Sequence, residues 1–402
     1  MDNGSYIDII QKVGTPCFVY NTEVIEQNIS RIFNSAQQYG LGDRIKIYVS
    51  YFANSHPYIF KRIVGKNIGI LLQTKEELTQ LKEYHLDTDV IISPSFLSNE
   101  EISFWRGNNI DVNLASLEEV EYWINEYRSP MSFRLDLSKS QDQRTGIKIA
   151  QLKKLKTILD DSKITPKSLH TYCGTGSNIN KMKKYLNKTF KIYIKLFPDV
   201  LDINLGGGFG FDYEAENSED KHFDWDAYFA YLKKLHKKYS VPNEVNFILE
   251  PGRDILADAG YLILQVKRVI NFPKSKQIST DGSFVYLPSA KQRNRNHKVT
   301  FLKQDGSSFK NPTTFRGKIS GATTLSTDYV LPDDVEIPKE IKAGDYLVIH
   351  DVGAYAATQH MEFLNKSPLP EVIIEGKNIL QITNRGSEID KLRNIIKIPT
   401  QL

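Results

Sequence analysis

From about residue 25 to residue 265, short apolar runs alternate with longer amphipathic stretches. Runs at 45–51, 68–72, 90–93, 111–114, 132–136, 168–173, 200–205 and 246–249 are bounded by turn residues and read as strands. Between them, segments such as 74–84, 116–127, 149–160, 178–197 and 224–238 have the apolar spacing of helices. One apolar run of four to eight residues is ambiguous by itself, and the regular recurrence decides the reading. Strand and helix alternating in this way eight times predict an α/β fold, a parallel (β/α)8 TIM-like barrel.

Beyond about residue 265 the pattern changes. Segments 262–270, 317–319, 346–350, 371–374 and 378–383 read as strands, separated by loops rich in Pro, Gly, Asn and Lys. No long helix is expected before 388–395. This predicts a C-terminal all-β domain joined by an N-terminal strand at 16–20. The expected division is a barrel over 25–265 and a β-rich domain made of 1–24 and 266–402.

Composition narrows the function classes. The chain has 402 residues, enough for one large domain and a smaller one. Its net charge of +4 is dispersed without a sustained basic run, which argues against a nucleic-acid partner. Cys17 and Cys173 form neither a disulfide framework nor a zinc-type pair, so no metal site is expected and a reducing compartment fits. No apolar run approaches the ~20 residues that cross a bilayer, and residues 1–6 lack the features of a signal peptide. A soluble cytoplasmic protein with no membrane partner is the expectation.

Candidate chemistry gathers at the predicted C-terminal ends of the barrel strands, where such barrels build their sites. The stretch Ile47-Tyr48-Val49-Ser50-Tyr51-Phe52-Ala53-Asn54-Ser55-His56-Pro57 reads as a buried strand running into a loop and a helix. Leu205-Gly206-Gly207-Gly208-Phe209-Gly210 follows the seventh predicted strand, and its glycines let backbone N–H groups approach an anion. Taken alone, that triplet reads better as a plain tight turn. Glu250-Pro251-Gly252-Arg253 follows the eighth strand and taken alone reads as a surface turn with an ion pair.

Together these segments resemble the pyridoxal-phosphate (PLP) decarboxylases with the alanine-racemase type of barrel, the fold-type III group that includes diaminopimelate and ornithine decarboxylases. The first stretch is similar to the family's Tyr-Ala-Val-Lys-Ala-Asn-Ser-Asn-Pro signature, whose lysine holds PLP as a Schiff base. Phe52 stands at that lysine's position and cannot form an imine. The resemblance implies that Glu250 pairs with the pyridinium nitrogen and that Gly206, Gly207, Gly208 and Gly252 meet the phosphate, with Arg253 in support. Gly353-Ala354-Tyr355 resembles the family's Gly-Ala-Tyr, whose tyrosine reaches the phosphate, with Phe363 and Asn365 closing that segment. Leu169-His170-Thr171-Tyr172-Cys173-Gly174-Thr175 is similar to Leu-His-Phe-His-Ile-Gly-Ser, so Thr175 matches the serine that contacts phosphate. Tyr172 replaces the histidine that stacks on the ring, one flat ring for another. Arg134 matches the family's barrel arginine, and Arg144-Thr145-Gly146-Ile147 resembles the Lys-Phe-Gly-Ile that follows it.

The departures fall on the reacting atoms. Besides Phe52 and Tyr172, Gly321-Ala322-Thr323-Thr324-Leu325-Ser326-Thr327-Asp328 resembles Gly-Pro-Thr-Cys-Asp/Glu-Ser-x-Asp, with Thr324 at the cysteine and Leu325 at the acidic residue. Leu71 stands where an aspartate is usual, and Lys46 lies near the opposite end of the strand that precedes Phe52. In the family the 321–328 loop crosses a dimer interface, so the resemblance implies a homodimer with shared sites and a substrate contact from Asp328. No catalytic residue follows from the sequence; Tyr172 and Thr324 are candidates, and Cys173 and His56 are nearby bases with plain packing or loop readings. The implied function is a PLP-dependent lyase of the amino-acid decarboxylase type, with its cofactor bound noncovalently and a small-molecule substrate. Two alternatives remain open: a catalytically degenerate relative serving as a regulatory or partner subunit, and a binder of another phosphorylated ligand.

Overall fold

The computed structural model describes residues 3–138 and 146–387. Arg144, Thr145 and the helix expected at 388–395 lie outside the described residues. The chain separates into two compact units, one formed by Glu26–Phe211 and Ser218–Ile255, the other by Met1–Ile25, Asp212–Asn217 and Leu256–Leu402.

The first unit contains strands β2 (Ile45–Ser50), β3 (Ile68–Leu72), β4 (Val90–Ile92), β5 (Asp111–Leu114), β6 (Ser132–Asp136), β7 (Ile147–Lys148), β8 (Ser168–Thr171), β9 (Asp202–Asn204) and β10 (Asn246–Leu249). Every pairing among them is parallel. The nine-stranded sheet closes through β5 and β6, and the two-residue β7 attaches to β6 outside the resulting ring of eight. The closed parallel barrel read from the alternation is therefore present.

Local chemistry starts its helices. α4 (Lys75–Glu83) and α5 (Asn99–Gly107) each begin with a reciprocal cap, Thr74 with Glu77 and Ser98 with Glu101. Ser116 caps α6 (Leu117–Tyr127), and Asn178 caps α8 (Ile179–Leu196). Along β2 the odd residues Ile45, Ile47 and Val49 are fully buried, while Tyr48 packs with Leu71 and Ile91 of the neighbouring strands.

The second unit is a mixed sheet in the order β13 (Val299–Leu302), β17 (Tyr346–His350), β11 (Gly260–Asn271), β1 (Cys17–Asn21), β18 (Glu371–Glu375) and β19 (Asn378–Thr383). The opening strand β1 lies between β11, to which it is antiparallel, and β18, to which it is parallel. Smaller strands β12 (Lys276–Thr280), β14 (Thr314–Gly317), β15 (Ile319–Ser320) and β16 (Val335–Pro338) complete it. Strands β12, β13 and β16 were not expected from the sequence, and neither was the first helix. Helix α1 (Asn3–Val13) lays Tyr6, Ile9 and Ile10 against Cys17, Val19, Ile263, Val348 and Val372. Its apolar residues recur at i, i+3, i+4 and i+7, a signal that a search for strands passes over.

Candidate functional site

The loops after β8, β9 and β10 lock together through backbone atoms. Gly206 and Gly208 have left-handed φ values of +69° and +89°. A Cβ on Gly206, Gly207 or Gly208 would stand 2.3, 2.2 or 2.3 Å from the carbonyl oxygens of Thr171, Glu250 and Gly174 respectively. No side chain fits there, so these glycines are fixed by close approach as well as by conformation. Among the described residues the Gly207 and Gly208 amides donate to no protein acceptor, whereas the Gly206 amide donates to Asn204 Oδ1 at 2.9 Å.

Glu250 lies beneath this turn, 5% exposed. Its Oε1 accepts from Asn204 Nδ2 at 2.7 Å and from Ser93 Oγ at 3.3 Å, and its Oε2 lies 3.4 Å from His170 Nε2. Ser93 in turn accepts from Asn113 Nδ2 at 2.7 Å, and its carbonyl accepts from Arg134 Nη1 at 3.1 Å. Arg134, His170 and Asn204 are register neighbours on β6, β8 and β9. Polar side chains from six strands or strand ends thus meet in one network.

Burial governs the charges in this network. It pulls the His170 imidazole below its ordinary value, with Glu250 opposing and Arg134 reinforcing, so His170 is neutral near pH 7. Burial alone would raise the Glu250 carboxyl, but His170, Asn204 and Arg134 outweigh it and hold the group below the usual carboxylate range. With His170 neutral, the hydrogen bond from Asn204 and the Arg134 cation do most of that work. Burial also lowers the Arg134 guanidinium, although an arginine keeps its charge.

The group implied by the resemblance can be tested against these atoms. A buried anionic carboxylate suits a pyridinium nitrogen, and its roughly four lone-pair sites leave room for one more donor. Two unengaged amides at a glycine turn suit a phosphate. Arg134 is 7% exposed and, among the described residues, its Nε has no partner, an orphaned buried donor of the kind a bound group satisfies. The noncovalent part of a PLP site therefore fits. At position 52, where the resemblance would put the imine-forming lysine, Phe52 packs in a 3-10 turn after β2 against a cluster of Leu71, Ile91 and Ile248. Lys46 offers no substitute, since its Nζ pairs with Asp202 at 3.5 Å. It also lines a separate cavity of about 620 Å³ formed by the N-terminal halves of the strands.

The other predicted residues divide between the units. Tyr172 stands at the barrel mouth, with Arg134 Cζ 5.5 Å from its ring centroid and its hydroxyl 2.7 Å from Thr175 Oγ1. Gly252 packs behind the turn, where a Cβ would meet that of Ser50 at 3.0 Å, and Arg253 opens a short helical turn. His56 is the N-cap of α3 (Pro57–Ile63), and burial pushes the Cys173 thiol up, so neither is poised as a base. Tyr355, Thr324 and Asp328 belong to the β unit. Tyr355 has a left-handed φ of +59°, and Thr324 is exposed. Asp328 is a buried loop clamp. Its oxygens accept from Ser283 Oγ at 3.1 Å, the Phe284 amide at 2.9 Å and the Thr323 amide at 2.8 Å. Asn204, Ser93, His170 and Asn113 were missed as site residues; each is a buried polar residue at or beside a barrel strand.

A closed parallel barrel with a glycine turn over a buried carboxylate, and a separate sheet unit threaded by the N-terminal strand, is the plan of the fold-type III PLP decarboxylases. Comparison with known proteins supports that fold. The chain is similar to diaminopimelate decarboxylase of Methanocaldococcus jannaschii, 25% identical across 99% of this chain and 95% of the relative. It is similar also to that of Buchnera aphidicola subsp. Schizaphis graminum, at 23% across 97% and 95%. Among solved structures, the M. jannaschii enzyme in complex with L-lysine superposes with a TM-score of 0.85 at 22% identity, covering 98% of this chain and 94% of that one. A lysine/ornithine decarboxylase of Vibrio vulnificus complexed with cadaverine gives a TM-score of 0.77 at 17% identity, covering 92% and 98%. No protein-family model matches the chain. No described helix is long and apolar enough to cross a membrane.

Proposed function

We propose that this chain binds PLP noncovalently at the barrel mouth and acts as a lyase of the amino-acid decarboxylase type. The observation that carries this reading is Glu250, a buried carboxylate kept anionic by Asn204 and Arg134 beneath two unengaged glycine amides. When bound, PLP supplies an electron sink for the carbanion left by loss of carbon dioxide. The chain's own contribution is positional. Glu250 holds a proton on the ring nitrogen, Gly207 and Gly208 with Gly252, Arg253 and Thr175 hold the phosphate, and Arg134 offers its free Nε to an anionic group. The Tyr172 ring covers one face of the mouth, and its hydroxyl is the candidate proton carrier of the barrel unit. With no amine at position 52, retention of the cofactor rests on these contacts.

Equilibrium titration with PLP tests the reading. Saturable binding seen by absorbance, with no cofactor fixed to protein by borohydride, is expected for the parent and is abolished in Glu250→Leu. Carbon dioxide release from a panel of basic amino acids and diaminopimelate then reports activity. A chain that takes up no PLP at any concentration is not a PLP enzyme, and the degenerate-subunit reading replaces this one.

A further inference from the structure

A second feature of the barrel unit has no part in the cofactor reading. Helix α8 carries Lys181, Lys183, Lys184, Lys188, Lys191 and Lys195 and no acidic residue. Positions 181, 184, 185 and 188 share one helical face. That face lines a cavity of about 580 Å³ together with Tyr172 and Cys173 after β8 and Asp136 at the end of β6. The volume is that of a small-molecule site.

Charge defines what the cavity takes. Lys181 reaches over the loop, its Nζ 3.1 Å from where a Cβ of Gly174 would be. Among the described residues Lys181 and Lys184 enter no ion pair, and Lys188 is held only loosely, its Nζ 3.4 Å from the Leu137 carbonyl oxygen. The single carboxylate on the wall does not offset them. Asp136 is paired with Lys148 at 2.5 Å and accepts from the Ser138 amide at 2.8 Å. Three exposed lysines therefore line one half-open cavity with no matching anion among the described residues, and Tyr172 and Tyr185 add flat apolar surface to its wall.

We propose that this cavity is a second anion site, taking a phosphorylated small molecule whose phosphate lies between Lys181, Lys184 and Lys188. It shares only Tyr172 with the groups assigned to PLP, and it stands or falls independently of that assignment.

Isothermal titration of the full chain with pyrophosphate, at fixed ionic strength, tests this proposal. Pyrophosphate binds the parent chain, and Lys181→Ala/Lys184→Ala weakens it by about tenfold or more, as expected for lost hydrogen bonds to a charged group. Lys191→Ala/Lys195→Ala removes the same charge from the same helix outside the cavity and leaves the affinity within about twofold. All four side chains are on the helix surface, so folding is retained, and thermal unfolding of each variant checks this. Absence of binding to the parent overturns the proposal. So does equal binding by the Lys181→Ala/Lys184→Ala variant, which would place the anion at the glycine turn, or equal weakening in both variants, which would reduce the effect to diffuse charge.

Discussion

On one side of the barrel interior Tyr48, Phe52, Leu71, Ile91 and Ile248 meet in an apolar cluster. On the other, Ser93, Asn113, Arg134, His170, Asn204 and Glu250 form a polar network around one carboxylate. The family that the sequence resembles would put a lysine at 52 and an aspartate at 71, both on the first side, where this chain carries Phe52 and Leu71. Losing one member of a buried charge pair is costly because the other is stranded, whereas replacing both by packed apolar groups is often neutral. The apolar half is consistent in carrying no charge at all, and the polar half is a network in which each member needs the others.

The largest effect is expected where that network is cut at its centre. Glu250→Leu leaves Arg134 buried without its counter-charge and strands the Asn204 amide, for a loss of about 3–5 kcal/mol in urea unfolding. PLP titration is lost with it. An unchanged midpoint would mean that the carboxylate is not what ties the polar half together.

Next comes the apolar half. Phe52→Lys alone places an ammonium among Leu71, Ile91 and Ile248 and is expected to cost about 1–3 kcal/mol. Adding Leu71→Asp recovers part of this, with a coupling energy of about 0.5–3 kcal/mol from the double-mutant cycle. The double variant also gains PLP that borohydride fixes to the chain. Strict additivity of the two substitutions would break the comparison, since the two positions would then be energetically independent.

How far the sequence discloses this molecule follows from what each part depends on. Barrel strands such as 68–72, 111–114 and 132–136 are legible residue for residue, because a buried parallel strand is a local pattern repeated at regular intervals. Helix α1 is not, because its apolar face becomes meaningful only against Val19, Ile263 and Val372, distant in the chain. The glycine turn and Glu250 stand out by motif, but a motif carries no partners. Asn204 and His170 become site residues only once the register sets them beside each other. A usable clue was present all along: parallel strands buried on both faces tend to be continuously apolar. A buried Asn113, His170 or Asn204 in such a strand marks the barrel interior. The motif also placed Asp328 without revealing that Ser283 and two backbone amides already occupy it.

A smaller, pH-dependent effect separates the two halves again. The folded-state pKa of His170 lies below its unfolded value of about 6.5, so the unfolded chain takes up this proton first. Its contribution is complete above pH 6.5 and is lost as pH falls from there towards the folded value, at up to about 1.4 kcal/mol per pH unit. Glu250 is also lowered, so its contribution persists above its unfolded value and is lost only at more acid pH. Stability measured from pH 8 to pH 5 is expected to decline in the acid part of that range, and His170→Gln is expected to flatten the decline. The double variant at 52 and 71 still contains His170 and keeps the slope. A slope that survives His170→Gln would assign the proton elsewhere, His236 being another histidine that burial lowers.

The smallest effect concerns Tyr172, whose ring and hydroxyl do different work. The hydroxyl bonds Thr175, which is exposed, so water replaces it and Tyr172→Phe is expected to cost under about 1 kcal/mol. The ring faces the Arg134 guanidinium at 5.5 Å, and Tyr172→Leu removes that contact, for about 0.5–1 kcal/mol beyond the Phe variant. PLP affinity is expected to follow the ring, unchanged in Tyr172→Phe and weakened in Tyr172→Leu. Carbon dioxide release is expected to follow the hydroxyl and to fall in both. If the two variants lose affinity equally, the hydroxyl rather than the ring positions the ligand, and the polar half then extends to the rim of the mouth through Thr175.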